Sequence, residues 1–470
     1  MITLTDTGPS HTCQGYTRRD FLRIGAMGAG GLTLANLLGA KARAAETGNH
    51  FLKDKSIVML FLHGGPPHIE TFDPKMSAPV EIRSLTGEVK TCLPGVTFGG
   101  TFPKMAAMAD RLAVVRSYGS QNADHTYGEV VSAKNALKAS ASSIYARVAG
   151  TNHPKNGMLR NVHVLPESVQ AGLKLGSNFE TGALPTVTTP GMLGSAYTAF
   201  NTAGGGDLNR NMQLSIPAAR LEDRRGLLKQ LDDLRRQIDA SGSMEATDRF
   251  QQQAYDLITR GVASAFDLSK EDPRTIERYD TSKLFDVSKL NKWFDMKRAS
   301  DQLGRQMLLA RRLCEAGCGF VTVSDCGWDY HANNNSPANM AGIYPMGGQV
   351  DHAVSAFIQD LAERGLSEKI LLIITSEMGR TPRLNKNGGR DHYAKLTPLV
   401  FAGGGLKMGQ VIGQSDRIAS EATSEPYGPE NLLATIMNVL FDTGEVRVST
   451  KVPSDISKII TDGKPIRELF

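Results

Sequence analysis

Residues Ser56-Ile57-Val58-Met59-Leu60-Phe61-Leu62 form a nearly unbroken apolar run that stops at His63-Gly64-Gly65-Pro66-Pro67. A strand with one wet face would alternate apolar and polar residues. A run apolar at almost every position fits a strand covered on both faces, as in parallel sheets flanked by helices. Similar short runs recur at Leu112–Arg116, Val162–Leu165, Phe320–Ser324, Ile370–Thr375 and Pro398–Ala402. Helical patterns lie between several of them, at Asp301–Ala316, Val350–Arg364 and Glu430–Phe441. This alternation predicts an α/β fold: a doubly wound, mainly parallel sheet with helices on both faces.

A chain of 470 residues could hold two or three domains, but one large α/β unit with insertions fits equally well. The clearest insertion is predicted over residues 217–265. There Arg220–Ile238 and Met244–Val262 carry leucines at helical spacing among charges, with Ala240-Ser241-Gly242-Ser243 between them. That pattern reads as a helical hairpin. The stretch Leu173–Asn211, rich in Gly, Thr and Ala, reads as a long surface excursion beside the active site.

The first 44 residues are predicted to be a targeting segment. Thr17-Arg18-Arg19-Asp20-Phe21-Leu22-Arg23 precedes a weakly apolar run, and Ala42-Arg43-Ala44 forms a small-x-small cleavage site. The paired arginines specify the twin-arginine route, so the expected location is periplasmic or secreted and the translocase is an expected partner. This segment holds five Lys/Arg and two Asp/Glu, which leaves 48 basic and 46 acidic residues and a net of +2 rather than +5. Nothing in that balance asks for nucleic acid. No later window offers the roughly 18 apolar residues that a membrane-spanning helix needs. In an oxidising compartment, Cys92, Cys314, Cys318 and Cys326 could be disulfide-bonded or remain buried thiols; without a C-x-x-C pair a zinc site is only weakly signalled.

Ligands of such sheets bind beyond the carboxyl ends of the strands. The polar residues just after the predicted strands are His63, His68, Glu70 and Asp73; Asp124 and His125; Asp325, Asp329 and His331; then Glu377 and Arg380, followed by Arg390-Asp391-His392. Carboxylates and imidazoles on one edge predict a site for zinc, manganese or a similar cation. The expected metal ligands are Asp329, His331, Glu377 and His392, with Asp73 and Glu70. His63 reads more simply as a strand-end hydrogen-bonding residue. His125 is the expected proton carrier or an extra ligand, and Arg380 the expected fork for an anionic oxygen.

At these residues the chain resembles the domain of unknown function 1501 family, exported proteins similar to the alkaline phosphatase and sulfatase superfamily. The matching pieces are Gly64-Gly65-Pro66 through Phe72-Asp73-Pro74-Lys75, Ala265-Phe266-Asp267-Leu268, and Ala310-Arg311-Arg312-Leu313 with Glu315-Ala316-Gly317. Gly327-Trp328-Asp329-Tyr330-His331, Ser376-Glu377-Met378-Gly379-Arg380-Thr381-Pro382 and Gly389-Arg390-Asp391-His392-Tyr393 complete them. The resemblance implies a two-metal site, with Asp329, His331 and His392 at the first metal. At the second, an Asp-His pair is replaced by Glu377-Met378, and His63 stands where a carboxylate would, leaving Glu70 or Asp73 as substitutes. The nucleophile has no clear counterpart beyond Ser117, Ser120 or Thr126, and no Cys-x-Pro-x-Arg motif is present. The implied function is an exported, metal-dependent hydrolase of phosphate or sulfate esters. Its expected cofactor is zinc, with manganese, calcium or magnesium as alternatives. Its expected substrate is a small anionic ester or a sulfated or phosphorylated saccharide. The alternative is a non-catalytic binding or assembly protein that retains the hydrolase fold.

Overall fold

The computed structural model of the protein describes residues 50–178, 182–203 and 262–470. The targeting segment 1–44 lies outside the described residues, as does most of the expected hairpin; of 217–265 only the last four residues are described. The chain divides into two units, 1–52 and 53–470, and the sheet belongs to the second.

Its strands are β1 (Ser56–His63), β2 (Glu88–Lys90), β3 (Thr97–Gly99), β4 (Ala113–Val115), β5 (Asn161–Val164) and β6 (Phe200–Asn201). They continue with β7 (Phe320–Cys326), β8 (Ile370–Thr375), β9 (Gly379–Arg380), β10 (His392–Tyr393), β11 (Val400–Gly403) and β12 (Gln410–Ile412). Eight of them form one sheet in the order β12-β4-β11-β8-β1-β7-β5-β6. Its core is parallel: β1 pairs with β7 and β8, and β5 with β7 and β6. The exception is β11, antiparallel to both β8 and β4. The β9–β10 ribbon, rather than a crossover helix, links β8 to β11, so the chain returns into the sheet from its carboxyl edge and must run down it.

Alternation along β1 explains its unbroken apolar run. Val58, Leu60 and Leu62 join a core that includes Met307, Leu308, Val350 and Phe357. Met59 and Phe61 face the other way, beside Val130, Ala141, Leu432 and Ile436. Helices Leu303–Glu315 and Ile343–Glu363 thus cover one face, and Ala141–Ala149 and Pro429–Leu440 the other. Leu303–Glu315 stops because Gly317 takes a φ of +100°; its N–H bonds Cys314 O and the next N–H, of Cys318, bonds Leu313 O. This two-bond cap satisfies the last carbonyls and needs a left-handed residue. Gly365 repeats the cap after Ile343–Glu363, delivering the chain to β8.

Several boundaries move relative to the sequence reading. β7 extends to Cys326, carrying Asp325 into the sheet. The helix expected at Val350–Arg364 begins at Ile343, because Pro345 falls in its first turn, where no intrahelical donor is required. After β4 the chain forms only the short helix Tyr127–Val131, since Ala133 and Lys134 adopt positive φ. The described end of the Leu173–Asn211 excursion supplies the edge strand β6. Cys314 and Cys318 are buried and not disulfide-bonded, and burial pushes the Cys318 thiol up to about 12. The Ala310-Arg311-Arg312-Leu313 motif is structural. Arg311 is buried and pairs with Asp360 (2.9 Å), Glu271 (2.6 Å) and Glu315 (2.7 Å).

Candidate metal centre

The carboxyl ends of β1, β4, β7 and β8 share one edge, so the loops leaving them meet there. After β7, Gly327-Trp328 turns the chain and presents Asp329 and then His331. After β8, Ser376 and Glu377 lie directly beneath the β9–β10 ribbon that carries Arg380 opposite His392. His125 arrives on the loop that follows β4.

Glu377 is fully buried. Its Oε1 accepts from Gly64 N (2.8 Å) and His125 Nδ1 (2.9 Å), and its Oε2 from Ser376 Oγ (2.7 Å). With Nδ1 donating to Glu377, His125 aims Nε2 at Asp329 Oδ2, 3.3 Å away. Burial disfavours the imidazolium, but hydrogen bonds and charge from Asp329 and Glu377 overcome it and raise His125 to about 10.

Asp329, 3% exposed, is the hub. Its Oδ1 accepts from Arg380 Nη2 and lies 3.1 Å from His331 Nε2 and 3.8 Å from His392 Nε2. Burial would raise this carboxyl; the Arg380 charge and the three imidazoles instead hold it well below the usual range. His125, Asp329 and His392 each offer a ligand atom within 4.8 Å of the others, a group that could hold a divalent metal.

His331 and His392 extend that group in an informative way. Their Nε2 atoms face each other at 3.0 Å. His392 Nδ1 donates to Ala123 O (3.0 Å), and His331 Nδ1 donates to Asp391 Oδ1 (2.9 Å). A carbonyl or carboxylate on Nδ1 places the proton there, so in the neutral rings both Nε2 atoms carry lone pairs. Two ring nitrogens and a carboxylate converging on one point are satisfied by a divalent cation among them or by a proton on one ring. Tethering the far ring nitrogen to a carboxylate or carbonyl is also how metal-binding histidines are oriented.

The structure therefore gathers Asp329, His331, Glu377, His392, His125 and Arg380, and corrects three expectations. Glu70 is not at the site: its carboxylate is fully buried against Arg390 (2.8 Å), Ser84 Oγ (2.7 Å) and Leu85 N (3.0 Å), because the helix His68–Thr71 turns it under the ribbon loop. Asp73 is also elsewhere, paired with Arg116 (3.4 Å) and Lys75 (3.3 Å) and accepting from Ser415 Oγ. Arg380 is at the site but cannot serve as the substrate fork. It is fully buried and donates to Gly65 O, Gly64 O, Arg390 O and Asp329, which makes it the clamp that orients Asp329. His63 is a strand-end residue hydrogen-bonded to Ser324 Oγ, and Asp124 accepts from His125 N.

Sequence reasoning missed Asp295, on the turn Phe294–Met296. Burial, then the negative charge of Asp329, raises its carboxyl to about 6. No apolar run precedes it, so nothing marked it as a strand-end residue.

Gly64 fixes the approach of the first and seventh strands. Its φ is +110°, and a Cβ would sit 2.6 Å from Asp329 N. Gly64→Ala is expected to push the Asp329 turn outward and cost about 2 kcal/mol of stability from backbone strain. Chemical denaturation would read that loss, and a metal titration should show weaker binding.

These elements define a mainly parallel α/β protein with a histidine–aspartate cluster at its strand ends that could hold a metal. The chain belongs to the DUF1501 family: the model of this family, described as "Protein of unknown function (DUF1501)", matches residues 54–470. No curated protein sequence matches it. Among solved structures it is similar to the PsFucS1 sulfatase from Pseudoalteromonas sp. (12% identity, 86% of this chain and 70% of that one, TM-score 0.32). It is also similar to an alkaline phosphatase from the Antarctic bacterium TAB5 (11% identity, 83% and 98%, TM-score 0.34). A third is the phosphonate monoester hydrolase from Silicibacter pomeroyi (11% identity, 88% and 76%, TM-score 0.30).

Proposed function

We propose that the protein is a metal-dependent hydrolase of phosphate or sulfate esters that works with one divalent cation, zinc, held by Asp329, His331 and His392. The observation that carries this reading is the convergence of two tethered imidazole Nε2 atoms and a buried carboxylate on one point. Two or three imidazoles with a carboxylate form a donor set suited to zinc. The cation would supply Lewis-acid polarisation of an anionic ester oxygen.

The protein's own groups supply the rest. Arg380 fixes the Asp329 carboxylate. Glu377 fixes His125 through Nδ1, leaving Nε2 as the atom that gives a proton to the leaving ester oxygen. His125 fills the space between Asp329 and Glu377, where the resemblance implied a second metal, so the reading is a single-metal site. None of the three candidate hydroxyls is aimed at the cluster: Ser117 Oγ lies against Gly413, Ser120 Oγ donates to Asn122 O and Thr126 Oγ1 to Asn122 Oδ1. Water is therefore the attacking group, with no covalent ester intermediate. The substrate is a small anionic ester or a sulfated or phosphorylated saccharide. Export by the twin-arginine route belongs to the same proposal; no helix among the described residues is long and apolar enough to cross a membrane.

Those diverted hydroxyls favour one rival, a binding or assembly protein that keeps the hydrolase fold. The test is purification under metal-replete conditions, elemental analysis and a screen of aryl phosphates and sulfates. About one equivalent of divalent metal is expected, with hydrolysis that disappears on chelation and returns on zinc addition. Bound metal with no hydrolysis of either ester class would select the rival; metal-free, inert protein would end both the cation and the hydrolase.

A further inference from the structure

One buried charge remains unexplained by the metal cluster. Arg298 is 5% exposed, and its Nε and Nη1 atoms are buried with no hydrogen-bond partner. No carboxylate pairs with it among the described residues. A guanidinium is almost never left so, because removing a charge from water without compensation costs several kcal/mol. Arg298 follows the Phe294–Met296 turn, which packs on the Asp329 loop: a Cβ on Gly327 would lie 2.8 Å from Ala299 Cβ.

Its electrostatic neighbours are two histidines that the proposed reaction does not use. His63 and His163 are both buried, and the Nε2 of each lies 2.8 Å from the same Ser324 Oγ. One hydroxyl can donate to one ring and accept from the other, which accounts for both Nε2 atoms with the rings neutral. Burial, then the Arg298 charge, lowers His163 to about 4; burial, then the charges of His163 and Arg298, lowers His63 well below its ordinary value. His63 Nδ1 is left without a partner. The Tyr127 ring lies 4.7 Å from His63 and 6.4 Å from His125, so the two clusters stand one aromatic ring apart.

We propose that Arg298 forms an oxyanion-binding position next to the metal cluster. It would take a second sulfate, phosphate or carboxylate group of the substrate. As a binding position it stands on the unpaired Arg298 alone; as a statement about substrate it rests on the hydrolase reading. A planar guanidinium with open donors suits a tetrahedral oxyanion. The substrate class is then a doubly anionic ester, such as a disulfated or carboxylated saccharide, cut at one group and held by the other.

The experiment uses metal-stripped full-length protein with inorganic sulfate and inorganic phosphate as probes, read by calorimetric binding and by thermal stability. Saturating either anion should raise the melting temperature of the wild type, and that of Asp329→Asn from its own lower baseline, because the latter change leaves Arg298 in place. Arg298→Met should lose the response, with affinity reduced at least tenfold, and should be no less stable than wild type in oxyanion-free buffer. Arg298→Lys keeps the charge but not the fork and should bind roughly tenfold more weakly; it decides the matter should the Met variant fail to fold. The proposal is overturned by a wild type that responds to neither anion, by Arg298 variants that bind as wild type does, or by an Arg298→Met protein that folds but is markedly less stable without anions. Absence of hydrolysis leaves the anion response untouched, so failure of the catalytic reading is separately visible.

Discussion

Asp329→Asn is expected to empty the metal site and reduce ester hydrolysis about 10³-fold, the effect of losing several kcal/mol of Lewis-acid stabilisation. The side chain is nearly isosteric, so the change is mainly one of charge. Asp329 is the group on which Arg380, His125, His331 and His392 all converge. Removing its charge also leaves Arg380, fully buried, without its carboxylate. A buried pair broken from one side typically costs about 3–5 kcal/mol. Arg380 still donates to three carbonyl oxygens, which places the expected loss toward the lower end of that range.

Two effects therefore superimpose, and a second substitution separates them. In Asp329→Asn with Arg380→Met the orphaned guanidinium is gone, so stability should partly recover while metal content and hydrolysis stay absent. Elemental analysis and urea denaturation of the single and double variants check both arms. A single variant that keeps stoichiometric metal and wild-type hydrolysis would remove Asp329 from the centre.

Much of this site was legible because strand ends are. The unbroken apolar runs located β1, β7 and β8, and the residues that follow them are Gly64, Asp329 and Glu377. Loop length then hid the rest. Glu70 and Asp73 follow β1 as closely as a ligand would, but the short helix His68–Thr71 directs Glu70 toward Arg390, 320 positions away. A partner at that separation leaves no local signal. Arg380 read as a fork for an anionic oxygen because arginine after Glu-Met-Gly gives no hint of the carbonyls of Gly64 and Gly65 beneath it. Asp295 and Arg298 sit on a turn between elements, where neither period nor strand precedes them. The antiparallel β11 was hidden for a related reason: the sequence shows the run Pro398–Ala402 but not that a ribbon, rather than a helix, leads into it.

Glu70→Ala tests the correction at that position, and its expected effect is on stability alone. The Glu70 carboxylate meets Arg390 Nη2 at 2.8 Å and Nε at 3.2 Å, and both side chains are fully buried. Ser84 Oγ and Leu85 N also donate to it. Truncation strands a buried cation and two further donors, so a loss of about 3–5 kcal/mol is expected. Arg390 keeps bonds to Ile82 O and Pro382 O, which hold the ribbon loop that carries Asp391 and His392. Metal per folded chain should therefore remain near wild type at a temperature well below the new midpoint. Glu70→Gln with Arg390→Met, which deletes both charges, should recover part of the loss, as neutralised buried pairs do. The measurements are denaturant midpoints and metal content on the same samples. A Glu70→Ala protein of ordinary stability that has lost its metal would return Glu70 to the ligand set and displace the Arg390 pairing from its structural role.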